Sequence, residues 1–264
     1  MSQAGFAYEE KAYAALNVYG ISTGGTAGAS ADKPDLTIKN RAGVSSGCEL
    51  KNSPTSAGSL VMKYFEGKWG FGNIKDDPEK AFMVALADSA NLLREMNTSG
   101  AAGKNWRGKV PVLQNNAAGG RILTSGFTDK RKAYKRDLEL FGSANEVHLE
   151  VGGKAVSDYY NTKKCHYINV GTHGFYLLGP KDPLKLNAAL KKQGQAAVPD
   201  FATHANCKIR VRCQYKGSGD YQFAMTLEFY GVKRSPHNIA PLKAGSKSDI
   251  DTKLLAQSPI LLAF

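Results

Sequence analysis

Several short stretches of this chain alternate polar and apolar residues with a period of two. A segment written that way buries one face, so each stretch belongs in a half-covered sheet. The clearest is Lys208–Tyr215, with Ile209, Val211, Cys213 and Tyr215 on one face and Lys208, Arg210 and Arg212 on the other. It predicts a hairpin with Tyr221–Tyr230 across Gly217-Ser218-Gly219-Asp220. Residues 34–39 follow the same rule, with Leu36 and Ile38 opposing Asp35 and Thr37. So do residues 44–52, where Val44, Ser46, Cys48 and Leu50 oppose Ser45, Gly47, Glu49 and Lys51. Asn40-Arg41-Ala42-Gly43 is the turn that joins them. Val147–Val151 is a further strand. Tyr167–Val170 pairs with Phe175–Leu178 across Gly171-Thr172-His173-Gly174.

Helical spacing marks fewer segments. Tyr8, Ala12, Ala15 and Leu16 define the inward face of a helix over 4–18. At 100° per residue, Glu9 falls at the edge of that face and Glu10 on the far side. Asp77-Pro78 is an N-cap followed by Pro at the first helical position. It opens a helix carrying Phe82, Leu86, Ser89, Leu93 and Met96, which ends near Gly100. The stretch before it, including Lys68-Trp69-Gly70-Phe71-Gly72, reads as a glycine- and aromatic-rich loop. Residues 98–126 read as a long loop and 129–141 as a short basic helix. The predicted class is α/β (α+β), in three parts: residues 1–100, a loop-rich insertion at 101–146, and a β-rich part at 147–264.

Composition narrows the functions. Lys and Arg number 35 against 23 Asp and Glu, a net charge of +12 over 264 residues. That excess points to a polyanionic partner, with nucleic acid first. No apolar run of about 18 residues is present, so no membrane span is expected. Glu9, Glu10 and Lys11 stand where a secretion signal needs apolar residues. Cys48, Cys165, Cys207 and Cys213 form no CxxC pair, which argues against a zinc finger. They read as reduced, mostly buried thiols of a cytoplasmic protein, in a bacterial cell or a phage-infected host. Neither GxxxxGK[ST] nor a strand-to-helix GxGxxG occurs, which argues against ATP hydrolysis and dinucleotide chemistry.

The N-terminal elements carry the chemistry. Glu49 and Lys51 are two apart on one strand and share a face. A hairpin brings Asp35 opposite them, and a helix packed on the sheet brings Glu9 close. Three carboxylates and a lysine around one point suit a hard cation, Mg²⁺ or Mn²⁺. A metal there stabilises charge on a phosphodiester, while the lysine orients the attacking water.

Pro34-Asp35, a gap of 13 residues, then Glu49-Leu50-Lys51, with Tyr8-Glu9 on an upstream helix, resembles the PD-(D/E)xK nuclease superfamily. That superfamily includes restriction endonucleases, junction resolvases, repair nucleases, homing endonucleases and phage nucleases. The resemblance implies a restriction-endonuclease-like core, a central mixed sheet flanked by helices, completed by strands from 147–178. It implies metal-dependent cleavage leaving a 5′-phosphate. Asp35 and Glu49 would bind the metal with the backbone carbonyl of Leu50. Lys51 would position water and Glu9 would be an accessory ligand. Homodimers are common in the group, since cutting two strands needs two sites. The match covers residues 5–52. Ser45-Ser46-Gly47 is poorer in aliphatics than the usual strand. The Gln-x-x-x-Tyr element of RecB-like exonucleases is missing, which favours an endonuclease.

Secondary candidates surround this set. Lys130, Arg131, Lys132, Lys135 and Arg136 crowd one predicted helix, and Lys208, Arg210, Arg212 and Lys216 line one strand. Either set can contact phosphates; either can equally be a solvated face or a protected sheet edge. Trp69 and Trp106 can stack on bases, though loop or core anchoring serves as well. His148, His166, His173, His204 and His237 show no HxH or HExxH spacing, and only His173, in a glycine turn, stands out. The expected function is a Mg²⁺- or Mn²⁺-dependent deoxyribonuclease acting on duplex or branched DNA, an endonuclease of restriction, resolvase or phage type. The alternatives are an RNase or structure-specific nickase on the same core, a non-catalytic nucleic-acid-binding protein, and a structural virion protein.

Overall fold

The computed structural model describes residues 3–26, 32–55, 57–65, 68–72, 74, 77–97, 146–215, 221–246 and 248–264. In chain order the elements are α1 (Gln3–Val18), β1 (Ser22–Thr26), β2 (Leu36–Lys39), β3 (Ser45–Lys51), β4 (Gly58–Phe65) and β5 (Lys68–Phe71). Then come α2 (Pro78–Ser89), α3 (Leu92–Asn97), β6 (Glu146–Val151), α4 (Gly153–Thr162), β7 (Cys165–Val170) and β8 (Gly174–Leu177). The chain continues through α5 (Leu186–Lys192), α6 (Phe201–His204), β9 (Asn206–Tyr215), β10 (Tyr221–Tyr230) and α7 (Thr252–Ala256), and reaches a 3₁₀ turn at Pro259–Leu262. The class is mixed α+β. The chain forms two compact units: residues 1–57, 152–207 and 229–264 in one, and 58–151 with 208–228 in the other.

The first unit is built on a five-stranded mixed sheet in the order β1-β2-β3-β7-β8. β2 pairs antiparallel with β3 (Leu36 opposite Cys48), and β3 runs parallel to β7 (Glu49 opposite Ile168, Lys51 opposite Val170). The parallel pairing explains why the returning strand comes from far along the chain: such strands need a crossover. Tyr8, Ala12, Ala15 and Leu16 of α1 are buried at helical spacing in a core with Leu36, Ile38, Cys48, Leu50, Tyr167 and Phe175. The inward face predicted for α1, Glu9 included, is the face observed. The β2–β3 turn also forms as predicted. Asn40 Oδ1 accepts from the amides of Ala42 and Val44, each at 3.0 Å, and Gly43 adopts φ +78°.

Gly47 is a close-approach position. Its N–H donates to the Lys164 carbonyl at 3.1 Å. A Cβ there would stand 2.7 Å from that oxygen and 2.8 Å from Pro34 Cβ. The missing side chain therefore lets the turn before β7 lie against β3.

The second unit holds another five-stranded sheet, in the order β5-β4-β10-β9-β6. β4 pairs antiparallel with β10 and with β5. Three local expectations change. The stretch before α2, expected as loop, is largely the β4–β5 hairpin. Leu60 and Met62 are buried, but Val61 between them is apolar and exposed, which erases the alternation. The single helix expected to run to Gly100 is two helices, broken at Asn91, which takes φ +54°; Asp77 caps the first as predicted, accepting from Lys80 N at 3.0 Å. Finally, α4 was not anticipated. Its buried stripe is Val156, Ser157 and Tyr160, too polar to register as an apolar face. Among the described residues, no helix is long and apolar enough to cross a membrane.

Candidate active site

Glu49 is the centre of a buried charged cluster. β3 directs its side chain and that of Lys51 to the same face, and the Lys51 ammonium lies 2.7 Å from Glu49 Oε1. A second ammonium, that of Lys163 in the turn between α4 and β7, lies 3.1 Å from Glu49 Oε2. Asp35 immediately precedes β2, and extending the β2–β3 register one residue sets it across from Glu49. Asp35 Oδ2 accepts the Leu50 N–H at 2.8 Å. Glu9, Asp35 and Glu49 are all more than nine-tenths buried. Each sequence-predicted residue of the N-terminal set thus lies in one neighbourhood, in which Glu9 and Asp35 both feel the charges of Glu49, Lys51 and Lys163.

The electrostatics follow from burial and from sign. Burial raises the Glu9 carboxyl from 4.5 to about 7, with the Glu49 charge adding to the rise and Lys51 opposing it. Burial and the neighbouring Glu49 charge hold Asp35 well above the usual carboxylate range. Burial alone would raise Glu49 too, but the Lys51 and Lys163 ammoniums outweigh it and keep it low. Burial works against the charge on Lys51, and the Glu49 carboxylate more than restores it. Three carboxylates face two ammoniums, leaving one negative charge in excess when all are ionised. That excess, in a buried place, is what disfavours ionisation of Glu9 and Asp35.

A hydrogen-bond chain holds α1 in place. Asn169 of β7 donates to Tyr8 Oη at 3.1 Å, and Tyr8 Oη donates to the Ala240 carbonyl at 2.7 Å. Asn169 Oδ1 in turn accepts from Ile239 N at 3.2 Å. Glu9 follows Tyr8, so this chain sets its position over the cluster.

The donor chemistry suits a hard cation. Glu9 Oε2 is buried with no hydrogen-bond partner, and the cluster carries surplus negative charge. Both Glu49 oxygens, however, already face ammonium groups. Among the described residues, no three His, Cys, Asp or Glu side chains stand as a ready ligand set.

The remaining candidates fall elsewhere. Lys208 and Arg210 belong to the second unit and share one carboxylate, Glu228 of β10, at 3.7 Å and 2.7 Å. Arg212 is half-buried beside them. Lys130, Arg131, Lys132, Lys135, Arg136, Lys216 and Trp106 lie outside the described residues, as do the side chains of Trp69 and Cys213. His173 sits in the β7–β8 turn, where its N–H donates to the Val170 carbonyl at 2.8 Å. Cys48, Cys165 and Cys207 are buried free thiols. Lys163 is the functional candidate that sequence reasoning passed over. Its only signal was a Lys163-Lys164 pair directly ahead of an apolar strand. Compared with known proteins, the chain matches no family model, no curated protein and no solved structure.

Proposed function

We propose that the chain is a divalent-metal-dependent deoxyribonuclease that hydrolyses DNA phosphodiester bonds, an endonuclease of restriction, resolvase or phage type. The observation that carries this reading is the buried meeting of Glu9 of α1, Asp35 just before β2, and Glu49 and Lys51 of β3, in a chain of net charge +12. Asp35 and Glu49, with the Leu50 carbonyl, are the residues that would hold Mg²⁺ or Mn²⁺, and Glu9 would add an accessory oxygen. Such a cation, when bound, polarises the phosphate and acidifies a water. Lys51 is the more exposed of the two lysines, at 17% against 9% for Lys163. In this reading Lys51 would hydrogen-bond the attacking water. A homodimer would supply a second centre for the second strand.

The test is cleavage of duplex, branched and RNA oligonucleotides with Mg²⁺ and with chelator. Asp35→Ala and Lys51→Ala should each lower cleavage by about a hundredfold or more, while mobility-shift binding persists. The substrate panel separates a deoxyribonuclease from an RNase or a nickase. A second reading, a non-catalytic nucleic-acid-binding protein with a purely structural ion cluster, draws on the double pairing of Glu49. Absence of metal-dependent cleavage on every substrate would leave that reading standing, and large assemblies on a sizing column would point to a virion component.

A further inference from the structure

We propose that the cleft between the end of α1, the β2–β3 turn and the 3₁₀ turn at Pro259–Leu262 is a docking site for an acidic peptide segment of a partner protein, anchored by one aromatic or branched aliphatic side chain. The inference does not rest on the metal-dependent reading above.

The apolar character comes first. Six large hydrophobic side chains are exposed among the described residues, and five gather here. Tyr19 and Leu262 line a cavity of about 440 Å³. Val18 and Val44 adjoin its lining residues Tyr19 and Gly43 in the chain, and Leu254 precedes the lining residue Ala256 on α7. Val18 is 82% exposed and Leu262 63%, so neither is held by the core. A group of exposed apolar side chains around a concavity marks an interaction surface, whereas scattered single ones do not.

The walls of the cleft are fixed. Asn40, which opens the β2–β3 turn, donates from Nδ2 to the Leu184 carbonyl at 3.0 Å. The Arg41 N–H donates to the Phe264 carbonyl, and the Phe264 ring packs against Phe175 with 6.3 Å between centroids. On the other wall the chain leaves α1 through Gly20, which takes φ +68° and donates its N–H to the Asn17 carbonyl at 2.9 Å. A preformed cleft leaves little to be ordered on binding, which favours affinity.

Charge selects the occupant. Lys39 and Arg41 are the charged side chains of the lining, and both are basic. Neither forms an ion pair among the described residues. Asp251, three positions before Leu254, is turned to α7, where it accepts the N–H groups of Lys253 and Leu254 at 3.1 Å and 3.2 Å. A second copy docked on this patch about a two-fold axis sets basic side chains against their own counterparts, with +12 on each chain. Nucleic acid suits the cations, but four of the five exposed side chains are aliphatic and offer no ring for a base to stack on. An anionic membrane surface is engaged by an amphipathic helix lying flat in it, not by a recess. Carboxylates over Lys39 and Arg41, with an apolar anchor in the recess, satisfy both the charge and the shape.

The experiment is selection of a random peptide library displayed on phage against the immobilised full chain, with the affinity of enriched peptides measured by fluorescence polarisation. Enriched peptides should combine Asp or Glu with Phe, Trp, Leu or Ile. Leu262→Ser and Arg41→Glu should each weaken their binding at least about tenfold, and Arg41→Lys should largely retain it. Circular dichroism melts establish that each variant is folded; should Leu262→Ser not fold, Val18→Ser takes its place. No enrichment, enriched peptides without acidic residues, or unchanged affinity in the folded variants would overturn the inference. So would a dimer on a sizing column that Leu262→Ser converts to monomer, which makes a second copy the occupant. Loss of DNA or anionic-vesicle binding in both variants, with peptide binding intact, would overturn it as well.

Discussion

The fold governs the protonation of Glu9 directly. Its carboxyl is raised from 4.5 to about 7, so the sign of its linkage is fixed. Below about pH 4.5 it is protonated in both folded and unfolded chains. As pH rises, the unfolded chain ionises first, and the folded state loses that advantage until about pH 7, where the loss is complete. Glu9→Gln removes the dependence. In chelator, the variant should melt a few degrees above wild type at pH 8, and the difference should vanish near pH 4. Equal melting temperatures at pH 8 would mean that the ionised Glu9 is not disfavoured in the folded protein. At this scale the sequence was readable where a residue's neighbours are close in the chain. Two positions on one strand place Glu49 and Lys51 together, and a helical angle places Glu9 inward. Lys163 was not readable, because its partnership with Glu49 spans 114 positions and depends on a parallel pairing that no local pattern announces.

Among the elements, the contact between β3 and the turn before β7 is tightly fitted. Gly47→Ala forces a methyl against the Lys164 carbonyl and Pro34, and overpacking of this kind costs roughly 1–3 kcal/mol. Chemical denaturation should show that loss. The patterned elements α1, β2 and β3 were legible, and so were β7 and β8, two short strands about a glycine turn. β4 was hidden by three consecutive apolar residues, and α4 by a polar stripe. What those two have in common is that tertiary burial, rather than pattern, chose their conformation.

For the whole molecule, charge is the quantity to follow. The net +12 supports a polyanionic partner, yet the described basic strand is already partly compensated. Lys208 and Arg210 both bind Glu228, whose side chain is 7% exposed. Arg210→Ala should therefore lower unfolding stability while leaving the salt dependence of DNA affinity close to wild type. A true phosphate contact would reduce the slope of log K against log salt by about one. Binding isotherms at several salt concentrations, alongside urea melts, separate the two outcomes.

The span of 114 positions between Glu49 and Lys163 also has a consequence for synthesis. A growing chain finishes the β2–β3 hairpin early, and with it every residue of the Asp35–Lys51 motif. It then carries those carboxylates without β7, without the second ammonium and without the Ala240 carbonyl that anchors Tyr8. The centre therefore assembles only late in translation. A chain released before residue 163 would contain the whole motif but not the charged cluster that Lys163 completes.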